Sequence, residues 1–210
     1  MTTDGQDLNE LFDVMPIPEE RGILSDPAPL MVANKDGIFE TVTRKRAHAE
    51  GFWHRAIGLW LFTREGKVVI QKRSEHKDTN PGKWQMSVAG HVTSGHSVQD
   101  AVLVEAQEEL GLDIDVNSLH FIVACTREES GSTARFGHHV DREYKFVFIA
   151  MLPDNSKIDF NPGEIQSVEI RDIGYVFDRF EARDPTFCPM DLACLKICRE
   201  AIEKHIGNMN

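Results

Sequence analysis

Apolar positions in this chain fall into two rhythms. Short runs such as "IGLWLF", "KVVIQ", "FIVAC" and "YKFVFIA" are bounded by turn residues and read as strands. "LMVANKDGIFETVTRKRAHAEG" predicts a hairpin, an apolar strand turning at Asn34–Gly37 into a second strand. "WHRAIGLWLFTREGKVVIQKRS" predicts another, with Arg64, Glu65 and Gly66 as its turn. "GKWQMSVAGHV" reads as one strand entered through Asn80-Pro81-Gly82, and "IDVNSLHFIVACTREES" and "REYKFVFIAMLP" as further strands of a mixed sheet.

Helical spacing takes over elsewhere. Ser97 suits an N-cap, Asp100 three residues on makes a variant capping box, and Gly111 suits the C-terminal stop. "IQSVEIRDIGYVFDRFEARD" runs from a short strand into a helix. The last helix is predicted over Asp191–Ile206, where Leu192, Leu195, Cys198, Ile202 and Ile206 recur near the helical period. Residues 1–30 are rich in Pro and acidic residues and read as a loosely ordered arm, with one short helix at Leu8–Val14. Residues 31–210 read as a single domain including the C-terminal helix. The fold class is α/β, a mixed sheet with helices on either side.

Composition narrows the function. The 210 residues can bury one good core, and 41% hydrophobic with 27% charged residues is ordinary for a globular protein. A formal net charge of -11 disfavours a surface for duplex nucleic acid, because phosphate binding wants a basic excess. It does not exclude a small polyphosphate held by metal ions or local basic residues. No apolar run approaches the roughly 20 residues needed to span a bilayer, and the acidic start "MTTDGQDLNELFDVMP" is neither a secretory signal nor a transit peptide. No membrane association and a cytoplasmic location are therefore expected. Cys125, Cys188, Cys194 and Cys198 lack CxxC spacing and read as core thiols in a reducing compartment.

The chemistry concentrates in "GHVTSGHSVQDAVLVEAQEELGL". Glu105, Glu108 and Glu109 stand at i, i+3 and i+4, neighbours on one helix face, where like charges repel. A lone EAQEE would be a solvated acidic face. Here an apolar strand and a glycine loop, Gly90 to Gly95, lead into the helix, and clustered carboxylates on a strand–loop–helix unit suit a hard divalent cation.

This stretch resembles the Nudix box, G-x5-E-x7-R-E-U-x-E-E-x-G-U with U aliphatic. Gly90 takes the first glycine, and Glu105, Glu108, Glu109, Gly111 and Leu112 fall in register, with Ala106 in an aliphatic slot. The resemblance implies an α/β/α sandwich that hydrolyses small diphosphates with Mg²⁺ or Mn²⁺ held by Glu105, Glu108 and Glu109. Two positions depart: His96 replaces the first glutamate and Val104 the arginine. The family uses that pair chiefly as an ion pair tying loop to helix. Losing both strands no lone charge, so the fold and metal site are expected to survive, with slower or altered catalysis.

"HAEGFWHRAIGLWLF", "KRSEHKDTNPGKWQMSVAGHV" and "DREYKFVFIA" resemble the isopentenyl-diphosphate isomerase branch of the same superfamily over roughly Met31 to Leu152. Matching that branch's metal ligands are His48, His54, His91, Asp141 and Glu143, with Asp141 in place of the usual glutamate. Imidazole with carboxylate suits a transition metal as well as magnesium. Arg73 and Lys77 match diphosphate contacts, Arg as a bidentate fork and Lys as a point charge. Trp84 is a candidate substrate wall and Trp53 its counterpart, although core is the better reading for both. The isomerases need a cysteine immediately before the "GH" pair; Ala89 stands there, and no other cysteine is near in sequence.

The leading reading is thus a metal-dependent hydrolase of a small nucleotide-like or isoprenoid diphosphate. Glu108 and Glu143 are the candidate proton acceptors, and Glu164 a weaker third. An isomerase, and a non-catalytic diphosphate- or protein-binding module, are the rivals. Homodimerisation is left open.

Overall fold

A computed structural model of the chain describes residues 7–77, 79–133 and 137–209. In chain order the strands and helices begin with β1 (Leu11–Asp13), β2 (Thr41–Thr43), α1 (Arg44–Glu50), β3 (Trp53–Phe62) and β4 (Lys67–Arg73). They continue with β5 (Trp84–Gln85), β6 (Val88–His91), α2 (Val98–Leu110), β7 (His120–Thr133) and β8 (Gly137–Met151). The chain then forms β9 (Ile165–Asp172), α3 (Ile173–Glu181) and α4 (Leu192–Gly207).

The main sheet runs β5-β4-β3-β8-β7, with β6 also on β3 and β9 on β4. The β3–β8 pairing is parallel and sets Trp53 opposite Arg142 through to Phe62 opposite Met151. The others are antiparallel, so the sheet is mixed. Side chains on a strand alternate between faces, and β3 is buried along its whole length. Ile57, Leu59 and Leu61 join Val98, Val102, Ala106 and Leu110 of α2 in one core. Trp60 and Phe62 join Phe177 and Phe180 of α3 and Leu195 and Cys198 of α4 in a second. Each fully buried Val, Leu, Ile or Phe among them stabilises by roughly 1.5–3 kcal/mol. Two cores on opposite faces make the expected α/β/α sandwich. No helix among the described residues is long and apolar enough to cross a membrane.

Local chemistry explains the elements that match. The Arg64–Gly66 turn joins β3 to β4, with Thr63 N–H donating to the Lys67 carbonyl at 2.8 Å. Ser97 and Asp100 exchange both bonds of a capping box on α2, and Gly111 ends the helix at φ 67°, a region that favours glycine.

Three expectations are corrected. Leu8–Val14 is not a helix: Leu11–Asp13 is a strand paired to β2, with Phe12 opposite Val42. Its backbone is claimed by neighbours, since Val14 N donates to Glu40 O and Met15 N to Trp53 O, each at 2.7 Å. Pro16 and Pro18 also stop any helix there. Within the arm, Phe12 and Asp13 are buried. The hairpin expected around Asn34–Gly37 is absent. A 3-10 turn at Ala28–Leu30 ends at the first residue of that stretch, and residues 31–40 form no strand. Its second half gives the short β2 and then α1, a helix capped by Thr43 accepting from Arg46 N and ended by Gly51. The strand expected over "GKWQMSVAGHV" is split. Between β5 and β6, Ser87 Oγ donates to Val69 O at 2.6 Å and accepts from Leu61 N at 2.7 Å, linking β4 to β3 where the ladder breaks.

Candidate functional site

Two constellations of metal-ligating type border one cavity of about 580 Å³. The first sits where α1, β3, β6 and β8 meet. Antiparallel β3–β6 pairing puts His91 opposite Ala56, and parallel β3–β8 pairing puts His54 opposite Glu143. Asp141 and Glu143 are two apart on β8 and share a face. The last turn of α1 supplies His48. One ligand atom from each of His48, His54, His91 and Asp141 lies within 4.8 Å of all the others. The Nε2 atoms of His48, His54 and His91 stand 3.6, 3.3 and 3.9 Å from Asp141 Oδ1. Glu143 joins through His91 Nε2 at 3.4 Å.

The donor set fits a divalent cation. His54 Nε2, His91 Nε2 and Asp141 Oδ1 are buried with no hydrogen-bond partner among the described residues, a costly state unless something binds there. His54 Nδ1 meets Phe52 O at 2.9 Å. A carbonyl only accepts, so Nδ1 carries a proton and Nε2 is turned toward Asp141. Burial, then the neighbouring His91, pushes His48 down to about 3, so it is neutral and able to ligate. Burial opposes ionisation of Asp141, but His54 and His91 hold it well below the usual carboxylate range. Burial likewise opposes Glu143, and Lys145 and Arg127 hold it charged.

The second constellation is the face of α2. Glu109 is buried, Glu105 half-buried and Glu108 exposed. Glu109 Oε2 accepts from Gln71 Nε2 at 2.8 Å and from Ala89 N at 3.2 Å. Glu105 lies flat on β6: a Cβ on Gly90 would come within 2.1 Å of its Oε1. Only glycine leaves that cradle open. Burial and then Glu109 raise the proton affinity of Glu105 well above normal. Burial and then Glu164 lift Glu109 to about 7. Glu108 is raised for similar reasons. A divalent ion bound there would offset the repulsion among these carboxylates, and the set suits Mg²⁺ or Mn²⁺.

The basic residues are placed differently from one another. Arg73 borders the cavity but donates to Thr79 O at 3.0 Å and to Gln85 Oε1 at 3.1 Å. Lys77 borders it too, paired with Glu164 at 2.8 Å. Trp84 is not part of the cavity wall; it packs against the second core.

Several wall residues escape the sequence reading. On β7, Cys125, Arg127 and Glu129 stand opposite Lys145, Glu143 and Asp141. Arg127 Nη1 is 3.1 Å from Glu143 Oε2, and its Nη2 pairs with Glu129. Stepping by two from Asp141 and Glu143 would have found Lys145, but the β7 register is not visible in sequence. Glu10 reaches the wall from the arm, paired with Arg44 at 3.1 Å. Cys125, Cys188 and Cys194 also line the cavity. The expectation that no cysteine is near Ala89 holds along the sequence only.

The comparisons with known proteins agree with this geometry. A NUDIX domain model matches residues 52–187. A Clostridium acetobutylicum protein named an uncharacterised Nudix hydrolase is 38% identical over 110 residues, 51% of this chain and 50% of that relative. That match therefore spans only half of the relative's length. An isopentenyl-diphosphate Delta-isomerase of a Jannaschia species is 27% identical over 154 residues, 73% of this chain and 84% of that relative. A Deinococcus radiodurans crystal structure shares the fold, with a TM-score of 0.53 at 20% identity, covering 90% of this chain and 99% of that one. With more than half of its residues matched by the family model and the family's sandwich around its carboxylate helix, the chain belongs to the Nudix family.

Proposed function

We propose that this chain is a divalent-metal-dependent hydrolase of a small diphosphate. The observation that carries the reading is the placing of Glu105 and Glu108 on one cavity wall, with Glu105 cradled by Gly90 and the buried Glu109 beside it. A bound Mg²⁺ or Mn²⁺ supplies Lewis acidity and a more acidic water. Glu105, Glu108 and Glu109 would hold that ion, and His48, His54, His91, Asp141 and Glu143 would hold a second. Arg73 and Lys77 would meet phosphate charge once the substrate draws Lys77 from Glu164. Glu108 is the better proton acceptor: it is exposed and its proton affinity is raised. Glu143 is held ionised by Lys145 and Arg127, which makes it a poor base.

The remaining wall bears on the substrate. Met86, Val147, Phe180 and Met190 give it an apolar end. That end favours a diphosphate with a compact apolar group, of isoprenoid type, over a nucleotide. A panel of isoprenoid and nucleoside diphosphates with Mg²⁺ and Mn²⁺, read by phosphate release, tests this. Preference for nucleoside diphosphates would overturn the substrate assignment.

An isomerase is the second reading, favoured by Cys125 and Cys188 in the same cavity. Against it, the hydrogen bond to Cys194 and then burial push the Cys125 thiol far up, and burial pushes Cys188 up, so neither thiol readily gives up its proton. Conversion of isopentenyl diphosphate to its allylic isomer without phosphate release would replace the first reading by the second.

A further inference from the structure

Phe12 belongs to the arm, outside the residues matched by the family model, and is fully buried. Its ring centroid lies 5.0 Å from that of His54 with the planes 17° apart, and 4.9 Å from that of His91 at 30°. His48 is also beside it, at 6.0 Å. One phenyl ring therefore stacks on two imidazoles of the cluster and lies beside the third.

The strand carrying Phe12 is anchored on both sides. Phe12 forms a bridge to Thr93, and Ser94 N donates to Leu11 O at 2.7 Å, tying β1 to the segment just after His91. The next residue, Asp13, is a buried hub: Arg55 Nη2 donates to its Oδ2 at 2.5 Å and Asn34 Nδ2 to its Oδ1 at 2.8 Å. Arg55 follows His54 on β3. Phe12 and His54 are thus each one residue from the same buried ion pair, which fixes ring against ring.

We infer that Phe12 is a positioning residue for the histidine cluster. Its ring fixes the planes of His54 and His91, so that their Nε2 atoms point at one spot beside Asp141. A phenyl ring offers no ligand atom and no hydrogen bond to compete with the metal, and it keeps water off the imidazole faces. Outer-shell groups that orient ligands typically change metal affinity 10–100-fold when removed. This inference rests on the metal reading proposed above.

The test uses the full chain and Co²⁺ as the probe, titrated with excess Mg²⁺ to occupy the glutamates of α2. The readouts are the Co²⁺ dissociation constant and its visible absorption spectrum, with His91→Ala to assign the signal. Phe12→Leu fills the space without a flat face, and Phe12→Tyr keeps the ring; melting in EDTA checks that each variant is folded. The expected result is roughly 10-fold or more weaker Co²⁺ binding and an altered spectrum for Phe12→Leu, with Phe12→Tyr closer to the parent. Parent-like affinity and spectrum in Phe12→Leu would overturn the role of Phe12. No Co²⁺ uptake by the parent chain would instead overturn the metal reading.

Discussion

At the scale of single residues, the site depends on what a position omits as much as on what it holds. Gly90 is there because Glu105 occupies the space of its missing side chain. In Gly90→Ala the flexible carboxylate moves and the backbone need not. The variant is expected to melt within a few degrees of the parent while kcat/KM falls about 100-fold, the typical cost of a small misplacement of a working group. Parallel calorimetry and steady-state kinetics check this. Protonation gives a second prediction. Glu109, lifted from 4.5 to about 7, holds a proton in the native chain that the unfolded chain has already released between those values. Its contribution to metal-free stability is therefore lost as pH rises through that window. His48, lowered from 6.5 to about 3, acts oppositely and costs stability as pH falls through its own window. A single melting curve mixes the two. The stabilisation added by Mg²⁺ should grow from about pH 5 to about pH 7.5, and the part lost in Glu109→Gln isolates that glutamate.

At the scale of elements, the two departed box positions lie away from the cavity, which argues against the altered catalysis expected from the sequence. His96 is exposed, Val104 is 42% exposed, and neither lines the cavity. The double change His96→Glu with Val104→Arg creates at most a surface pair worth about 0–1 kcal/mol. Phosphate release should stay within roughly 3-fold of the parent, a barrier change of under about 1 kcal/mol. A sharp rise would show that the departure tunes activity. Helix α2 was almost fully legible, because Ser97, Asp100 and Gly111 act on backbone groups a few residues away. The apolar run of β3 likewise matches a strand buried on both faces. The arm was not legible. Its Pro-rich composition suggests looseness, whereas Phe12 and Asp13 are held by Val42, Arg55 and three histidine rings remote in sequence. The run "TVTRKRAHAEG" misled in the same way, since Thr43 caps a helix rather than continuing a strand.

At the scale of the molecule, the sandwich gathers around one cavity residues that sequence distance separates. His48, His54, His91 and Asp141 come from four elements and meet within 4.8 Å. Spacing motifs found the carboxylate helix unaided, and resemblance alone supplied the histidines. Neither reached Arg127, Lys145 or the cavity thiols, which depend on the β7–β8 register and the docking of α4. Metal-dependent diphosphate hydrolysis, as proposed, depends on the α2 glutamates. The most direct measurement is Mg²⁺-dependent phosphate release by the parent chain and by Glu109→Gln, on the best substrate of the diphosphate panel. Release by the parent should be abolished by EDTA and reduced about 100-fold or more in Glu109→Gln. Undiminished metal-dependent release by Glu109→Gln would contradict the proposal.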